Sequence, residues 1–237
     1  RVVDRLAIEL GMDPAELRMK NLLRPEQFPY TTPTGWEYDS GDYPRALQEA
    51  MRIAGYDELR HEQAERRRQA AASADPASQA YMGIGLSFFT EGVGAGPRKH
   101  MDILGLAMND GADLRVHPSG KAVVSISAQT QGQGHETTFA QIVAEELGIP
   151  PEDVEVRHGD TDRSPYGLGT YGSRSTPVSG GAVAVVSRKV RDKARQIAGT
   201  MLEASPDDLA WEKGRWYVKG DPEQGAAIDE IAARAYS

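Results

Sequence analysis

The amino-acid sequence predicts an α+β fold in which mixed and antiparallel sheets are packed by helices. Apolar residues recur at helical spacing over residues 2–10, Pro44 opens a helical stretch that continues to residue 69 with charge on most faces, and the period changes to a strand-like one over 114–117 and 122–128. At 130–142 (TQGQGHETTFAQI) a polar glycine loop leaves such a strand and runs straight into an amphipathic helix. The small, unpatterned stretch AASADPASQA at 71–80 marks the expected boundary between a helical and loop segment, residues 1–80, and an α+β domain, residues 81–237.

The elements follow in order. Residues 2–10 form a helix by apolar spacing, stopped by Gly11; Asp13, Pro14 and Glu16 open a second by capping-box logic. Residues 24–42, rich in Pro, Thr, Gly and aromatics, read as a long ordered loop. Pro44 opens a helix that runs to about Gly55, and residues 56–69 continue helical. Residues 81–90 (YMGIGLSFFT) read as a glycine-interrupted strand, and 114–117 with 122–128 as a hairpin around Pro118, Ser119 and Gly120. Phe139, Ile142, Val143 and Leu147 give a helix one apolar face, and Gly148 ends it. A strand at 154–158, a long loop at 159–176 and a long helix faced by Val183, Val186, Val190, Ala194, Ile197 and Met201 follow. Thr176 is the expected N-cap of that helix and Pro177 its first residue. Gly180 and Gly181 weaken its first turns by roughly 1 kcal/mol each, so close packing is expected there. A hairpin of 209–211 with 215–218 and a helix at 228–235 complete the chain.

Composition narrows the function. The 237 residues are enough to bury a substantial core. Lys and Arg number 27 against 35 Asp and Glu, a net charge of −8 that argues against a nucleic-acid footprint. The mixed run RHEQAERRR at 60–68 reads as a solvated helix face. With no cysteine in the chain, disulfides, thiolate metal sites and a cysteine nucleophile are excluded within it, and a reducing, cytoplasmic setting is compatible. Neither a membrane span nor a signal peptide is visible. The chain starts at Arg1 inside a helical pattern without a Met, so a fragment of a longer protein is expected.

Two loops carry the chemistry. Gly132 and Gly134 let backbone approach a ligand without Cβ obstruction, and Gln131 and Gln133 flank them with amide groups. The helix that starts there offers unpaired N–H groups and a positive dipole end to a phosphate or pyrophosphate. Taken alone, this loop could equally be a polar cap on a surface helix. The second loop, GLGTYGSRSTP at 167–177, repeats the design: Ser173, Ser175 and Thr176 offer hydroxyls and Arg174 a planar fork for phosphate. Two donor-rich helix N-termini suit one long, anionic, polar cofactor.

Other motifs fail. GQGHET lacks the third glycine of a dinucleotide fingerprint, Thr137 standing in its place, and its strand is expected in an antiparallel hairpin rather than a βαβ unit. His135 and Glu136 begin an HExxH pattern, but Phe139 occupies the second His position. Asp160 and Asp162 suggest a calcium loop, but Pro165 takes the turn-glycine position and Tyr171 the final carboxylate position. Gly92, Gly94 and Gly96 could cradle an anion, although a turn is the simpler reading.

QGQGHETT at 131–138, TYGSRSTP at 170–177 and GDYPRALQEAM at 41–51 resemble the molybdopterin-binding large subunit of the xanthine dehydrogenase and aldehyde oxidase family. Within it the resemblance is greatest to the aerobic, molybdenum-dependent carbon monoxide dehydrogenase type. It extends through FPYTTPTGWEYDSGDY at 28–43, GIGLSFFTEGVGAGP at 83–97 and GDTDRSPYGLGTYGSRSTPV at 159–178. The resemblance implies a fold of the molybdenum-cofactor-binding domain type. It also implies that Gln131, Gly132, Gln133, Gly134 and His135, with Thr170, Tyr171, Gly172, Ser173, Arg174, Ser175 and Thr176, bind molybdopterin cytosine dinucleotide. Main-chain and hydroxyl donors would meet its pyrophosphate and nucleotide.

The implied activity is oxidation of a small-molecule substrate, carbon monoxide to carbon dioxide. Electrons would pass to iron-sulfur clusters on a small subunit and FAD on a medium subunit, in a dimer of heterotrimers. The implied place is the cytoplasm or the inner face of the cell membrane. Alternatives are an aldehyde or N-heterocycle (xanthine-type) hydroxylase, or a non-catalytic assembly module. The copper-ligating cysteine of the carbon monoxide enzymes would precede Arg1, and the family's glutamate near molybdenum would follow Ser237. No catalytic residue is therefore carried over, and the fragment alone is expected to be inactive.

Overall fold

The computed structural model describes residues 1–94 and 108–237, and the chain forms two compact units, Arg1–Thr90 and Glu91–Ser237. Gly96, one of the glycines in the third candidate loop, lies outside the described residues. Among the described residues no helix is long and apolar enough to cross a membrane.

The first unit is built by caps. Helix α1 (Val2–Leu10) ends where Gly11 turns left-handed at φ 63°. Asp13 caps α2 (Pro14–Asn21), its carboxylate accepting from Ala15 N at 2.7 Å and Glu16 N at 3.3 Å. The same carboxylate accepts from the Tyr56 hydroxyl and pairs with Arg60, both on α4 (Tyr56–Ala72), which follows α3 (Tyr43–Ala54) across a left-handed Gly55. The expected loop at 24–42 contains a minimal antiparallel pair, β1 (Tyr30–Thr31) with β2 (Glu37–Tyr38). The Tyr43 ring meets Phe28, Tyr38 and Phe88 edge-on.

Among the described residues, 81–90 form no strand, contrary to the expectation. The Met82 carbonyl accepts from Gln63 Nε2 at 2.9 Å and the Leu86 carbonyl from Arg18 Nη2 at 3.4 Å. Helix side chains thus satisfy two of the backbone carbonyls of this segment.

The second unit has an α+β core. Strand β3 (Ala112–Val116) pairs antiparallel with β4 (Ala122–Ile126) around the expected turn, where Gly120 adopts φ 81°. Ala122, Val124 and Ile126 are buried while Val123 and Ser125 are less so, the alternation a one-faced strand requires. Helix α5 (His135–Leu147) follows, then β5 (Val154–Arg157), which pairs parallel to β4. This corrects the expectation that β4 belongs to a hairpin alone. As the central strand it has two edges, one antiparallel to β3 and one that completes a β4–α5–β5 crossover.

Helix α6 (Gly180–Met201) packs on α5 and β3. Val183 and Ala194 are buried and Val190, Ile197 and Met201 partly so; Ser187 rather than Val186 completes the buried stripe. A Cβ on Gly180 would sit 3.1 Å from Ile142 Cδ1, which explains a glycine in the first turn. Thr176 is not the N-cap. A π-turn at Ser175–Ser179 precedes α6, so helical backbone begins just after Arg174, and Ser175 and Ser179 point inward.

A second sheet joins β6 (Leu209–Glu212) and β7 (Arg215–Val218) to an unanticipated β8 (Asp221–Ala227). Helix α7 (Ile228–Ala235) closes the core through Ile228, Ile231 and Ala232. The C-cap of α5, Gly148, abuts Gly214 in the β6–β7 turn, and a Cβ on Gly148 would fall 2.3 Å from Gly214 Cα. By contrast Gly132, also left-handed at φ 105°, has nothing within 4 Å of its Cβ position among the described residues. Gly132→Ala therefore costs only backbone strain, about 1–2 kcal/mol, whereas Gly148→Ala adds a backbone clash and costs clearly more. Urea unfolding of both variants checks this, and equal losses would contradict it.

Candidate functional site

Both glycine loops stand at the end of the β4–β5 strand pair from which the chain enters a helix, the place where ligands sit in α/β crossovers. In the first, Gly132 at φ 105° and Gly134 at φ 77° hold conformations that L side chains rarely adopt, and Gly134 is the N-cap of α5 with no side chain capping the first turn. Gln131, Gly132 and Gln133 are exposed, and the Gln131 N–H donates to Gln133 Oε1 at 2.5 Å. The second loop repeats the pattern with Gly169 at φ 79° and Gly172 at φ 53°. Among the described residues, no atom lies within 4 Å of a Cβ built on Gly132, Gly134, Gly169 or Gly172. At these four positions no described side chain or backbone covers the loop backbone.

The loops are tied to each other. Thr170 Oγ1 donates to Gln129 O at 2.6 Å and accepts from Gln129 N at 3.0 Å, and Ser175 Oγ donates to it at 3.3 Å. Thr170 and Ser175 thus serve as braces, while Tyr171, Gly172, Ser173 and Thr176 are exposed. Ser173 is a non-glycine residue held at φ 51°, a strained conformation. Its hydroxyl donates to Glu91 at 2.8 Å and its carbonyl accepts from Gly94 N at 3.2 Å, so part of the third glycine segment lies along the second loop.

Beside both loops lies a cleft of about 600 Å³, lined in part by Ser127, Gln129, Gly159, Ser164 and Gly167. Its wall needs two of its glycines. A Cβ on Gly167 would fall 2.1 Å from Ser127 Oγ, and one on Gly159 2.2 Å from Gln129 Oε1.

Arg174 is placed differently from its sequence reading. Its side chain is wholly buried, turned inward rather than held out as a phosphate fork. Nη1 donates to both Asp110 oxygens at 2.9 and 2.8 Å and to Gly169 O at 2.7 Å, and Nη2 donates to Met108 O at 2.9 Å. The Tyr171 ring lies 5.4 Å from the guanidinium carbon. The cause is the Asp110 carboxylate, equally buried, which would be costly to leave without a counter-charge. Sequence reasoning passed over Asp110 because Asp110 followed by Gly111 ahead of a strand looks like an ordinary turn.

His135 opens α5 with 3% exposure, its ring 5.2 Å from Phe139, and neither ring nitrogen has a hydrogen-bond partner among the described residues. The buried Thr130 hydroxyl is likewise without a partner there. His158 Nε2 meets Glu136 Oε1 at 2.8 Å. The Glu136 carboxyl is held below its usual range by its own main-chain N–H and by His158. Among the described residues, His, Asp and Glu form no group placed to hold a metal ion. The donor set is backbone amides, hydroxyls and amide side chains, which suits the phosphates and polar rim of an organic cofactor.

Burial, and secondly the His158 ring, push the His135 imidazole below its ordinary value of 6.5. The folded state therefore refuses a proton that the unfolded chain accepts. This contribution to stability is complete above pH 6.5 and is lost as pH falls through the depressed folded value. Urea midpoints of the wild type should drop on acidification through that window, and His135→Asn should flatten the slope; an unchanged slope in the variant would contradict this assignment.

Residues 49–237 match the family model described as a molybdopterin cofactor-binding domain. Over 237 residues the chain is 52% identical to the carbon monoxide dehydrogenase large chain of Afipia carboxidovorans. Over 236 residues it is 55% identical to that of Hydrogenophaga pseudoflava. Each alignment covers 100% of this chain and 29% of the relative. The fold also superposes on quinoline 2-oxidoreductase from Pseudomonas putida 86 with a TM-score of 0.68 at 36% identity, covering 99% of this chain and 29% of that one. The chain thus spans less than a third of the length of these relatives. With the family model matching well over half its residues, the chain belongs to the molybdopterin cofactor-binding domain family.

Proposed function

We propose that this chain is the cofactor-gripping part of the large subunit of a molybdenum hydroxylase, and that its two loops hold molybdopterin cytosine dinucleotide. The observation that carries the proposal is the bracing of the loops through Thr170 and Gln129. It sets two bare, donor-rich backbones side by side at helix starts, a spacing suited to one extended pyrophosphate-bearing ligand.

The residues divide the work. Gly132, Gly134 and Gly172 let the ligand approach main-chain N–H groups, and Gln131 and Gln133 offer amide donors at the rim. Thr176 is exposed with its hydroxyl, and Ser173 is exposed while its hydroxyl is committed to Glu91 and its carbonyl to Gly94 N. His135, neutral near pH 7 because burial lowers its proton affinity, can accept or donate one hydrogen bond without adding charge. Thr170, Ser175 and Arg174 hold the loop from behind. In this division residues 81–237 form the gripping domain and residues 1–80 a helical flank.

When bound, the molybdenum centre supplies the redox chemistry, in which carbon monoxide and water yield carbon dioxide, two protons and two electrons. The protein supplies binding, orientation and exclusion of competing reactions. The electrons would leave through iron-sulfur clusters on a small subunit and FAD on a medium subunit, in a dimer of heterotrimers. The cytoplasm or the inner face of the cell membrane is the proposed location. Copper beside molybdenum belongs to the carbon monoxide reading.

High identity to two carbon monoxide dehydrogenase large chains favours that substrate. A second reading, oxidation of an N-heterocycle or aldehyde, draws on the similarity to quinoline 2-oxidoreductase over nearly the whole chain.

The full-length subunit purified with its partners tests both readings. The carbon monoxide reading expects molybdenum, copper and carbon monoxide turnover; molybdenum without copper or turnover would move the substrate to a heterocycle or aldehyde. In the same preparation Gly134→Val and Arg174→Ala should each lower molybdenum and cytidine nucleotide content by about tenfold or more, equivalent to about 1.4 kcal/mol or more of binding. Normal loading in both would refute the cofactor assignment.

A further inference from the structure

We infer that Asp110 is the positioning residue of the second loop. It faces Gly172, Ser173 and Thr176 outward by drawing Arg174 and Ser179 inward. The inference rests on the cofactor reading above.

The geometry is specific. Asp110 lies two residues ahead of β3, and its side chain is as fully buried as that of Arg174. Its Oδ1 accepts from Leu168 N at 3.0 Å and from Arg174 Nη1 at 2.9 Å. Its Oδ2 accepts from Arg174 Nη1 at 2.8 Å and from Ser179 Oγ at 2.5 Å. One carboxylate therefore grips the entry to the loop, its last residue before the π-turn and the last residue of that turn. The loop is also fitted to it in shape, since a Cβ on Gly167 would fall 2.7 Å from Asp110 Oδ1.

The guanidinium in turn holds Gly169 O and Met108 O, with the Tyr171 ring at its side, so residues 168–174 fold around a fixed cation. A chain wrapped in this way has little freedom in which backbone groups it turns outward. With Arg174 paired inside, the exposed part of the loop offers hydroxyl and main-chain donors rather than a charged side chain. Recognition there rests on donor geometry, which a displaced loop would lose even if the domain stayed folded.

A core ion pair without a positioning role would behave differently. Its loss would lower the yield and thermal midpoint of the protein, while molecules that did fold would carry their full complement of cofactor.

The test uses the full-length subunit assembled with its partners, isolated as folded complex by size exclusion, and reads molybdenum and released cytidine nucleotide per folded subunit. Asp110→Asn, which keeps the shape but removes the charge, should lower both by about tenfold, and Asp110→Glu should restore part of the loss. Ser179→Ala, a milder change that removes one donor to the carboxylate, should lower both by about two- to fivefold. Where Asp110→Asn fails to fold, Asp110→Glu and Ser179→Ala decide the matter. Full loading per folded subunit in the variants that fold would overturn the positioning role. Gly134→Val in parallel separates the two levels. If it too loads normally, the cofactor reading itself fails; if it alone loses cofactor, only the role of Asp110 falls.

Discussion

The buried pair between Asp110 and Arg174 is the constraint on which the site depends. Removing both charges from water is expensive, and only close geometry with further hydrogen bonds repays it. Here the carboxylate also receives Leu168 N and Ser179 Oγ, and the guanidinium reaches the carbonyls of Gly169 and Met108. A shift of either partner would break several of these hydrogen bonds at once, so Leu168, Gly169, Arg174 and Ser179 are held in register with one another. Glycines at 111 and 167 are the sequence's accommodation: a Cβ at either would strike Pro165 or the Ser127 and Asp110 side chains. The bracing of Thr170 against Gln129 then transmits that fixed position to the first loop.

The chain carries a net charge of −8, yet the proposed ligand is itself an anion. The general field of such a protein gives no help, so attraction must come from short-range groups. Two helix starts, four glycines whose Cβ positions meet no described atom and a set of hydroxyls provide it within a few ångströms, where main-chain dipoles act with little screening. A grip made of backbone also discriminates by shape, because its donors cannot swing to meet a ligand of different length. That fits a protein part whose task is holding, with the reaction's redox chemistry resident in the cofactor.

Much of this architecture is legible in the sequence because it depends on local rules. Gly11 and Gly148 close helices as left-handed C-caps, Asp13 caps α2, Gly120 turns the β3–β4 hairpin, and both glycine loops lead into helices. The α+β class follows from the same periodicities. What escaped is what depends on distant partners. Strand β8 has no alternation to betray it, because DPEQGAA pairs through its backbone, with Arg215 reaching the carbonyls of Pro222 and Glu223. The parallel pairing of β4 with β5 needed knowledge of which edge of β4 was free. Residues 81–90 had strand-like composition, but side chains of Gln63 and Arg18 supply hydrogen bonds there. Thr176 and Pro177 looked like a cap and first turn, and the inward pull on Arg174 and Ser179 started the helical backbone earlier. Arg174 looked like a ligand because its partner, Asp110, is 64 residues away.

Hydrogen exchange on the full-length subunit, compared with and without its molybdenum cofactor, addresses the central assignment most directly. Occupancy of one ligand across two braced loops predicts that peptides spanning 129–138 and 168–177 gain protection together when cofactor is present. The β6–β8 sheet, remote from the loops in sequence and built on its own ladder, should be unchanged. Protection confined to one loop, or equal exchange in both states, would contradict a shared cofactor grip.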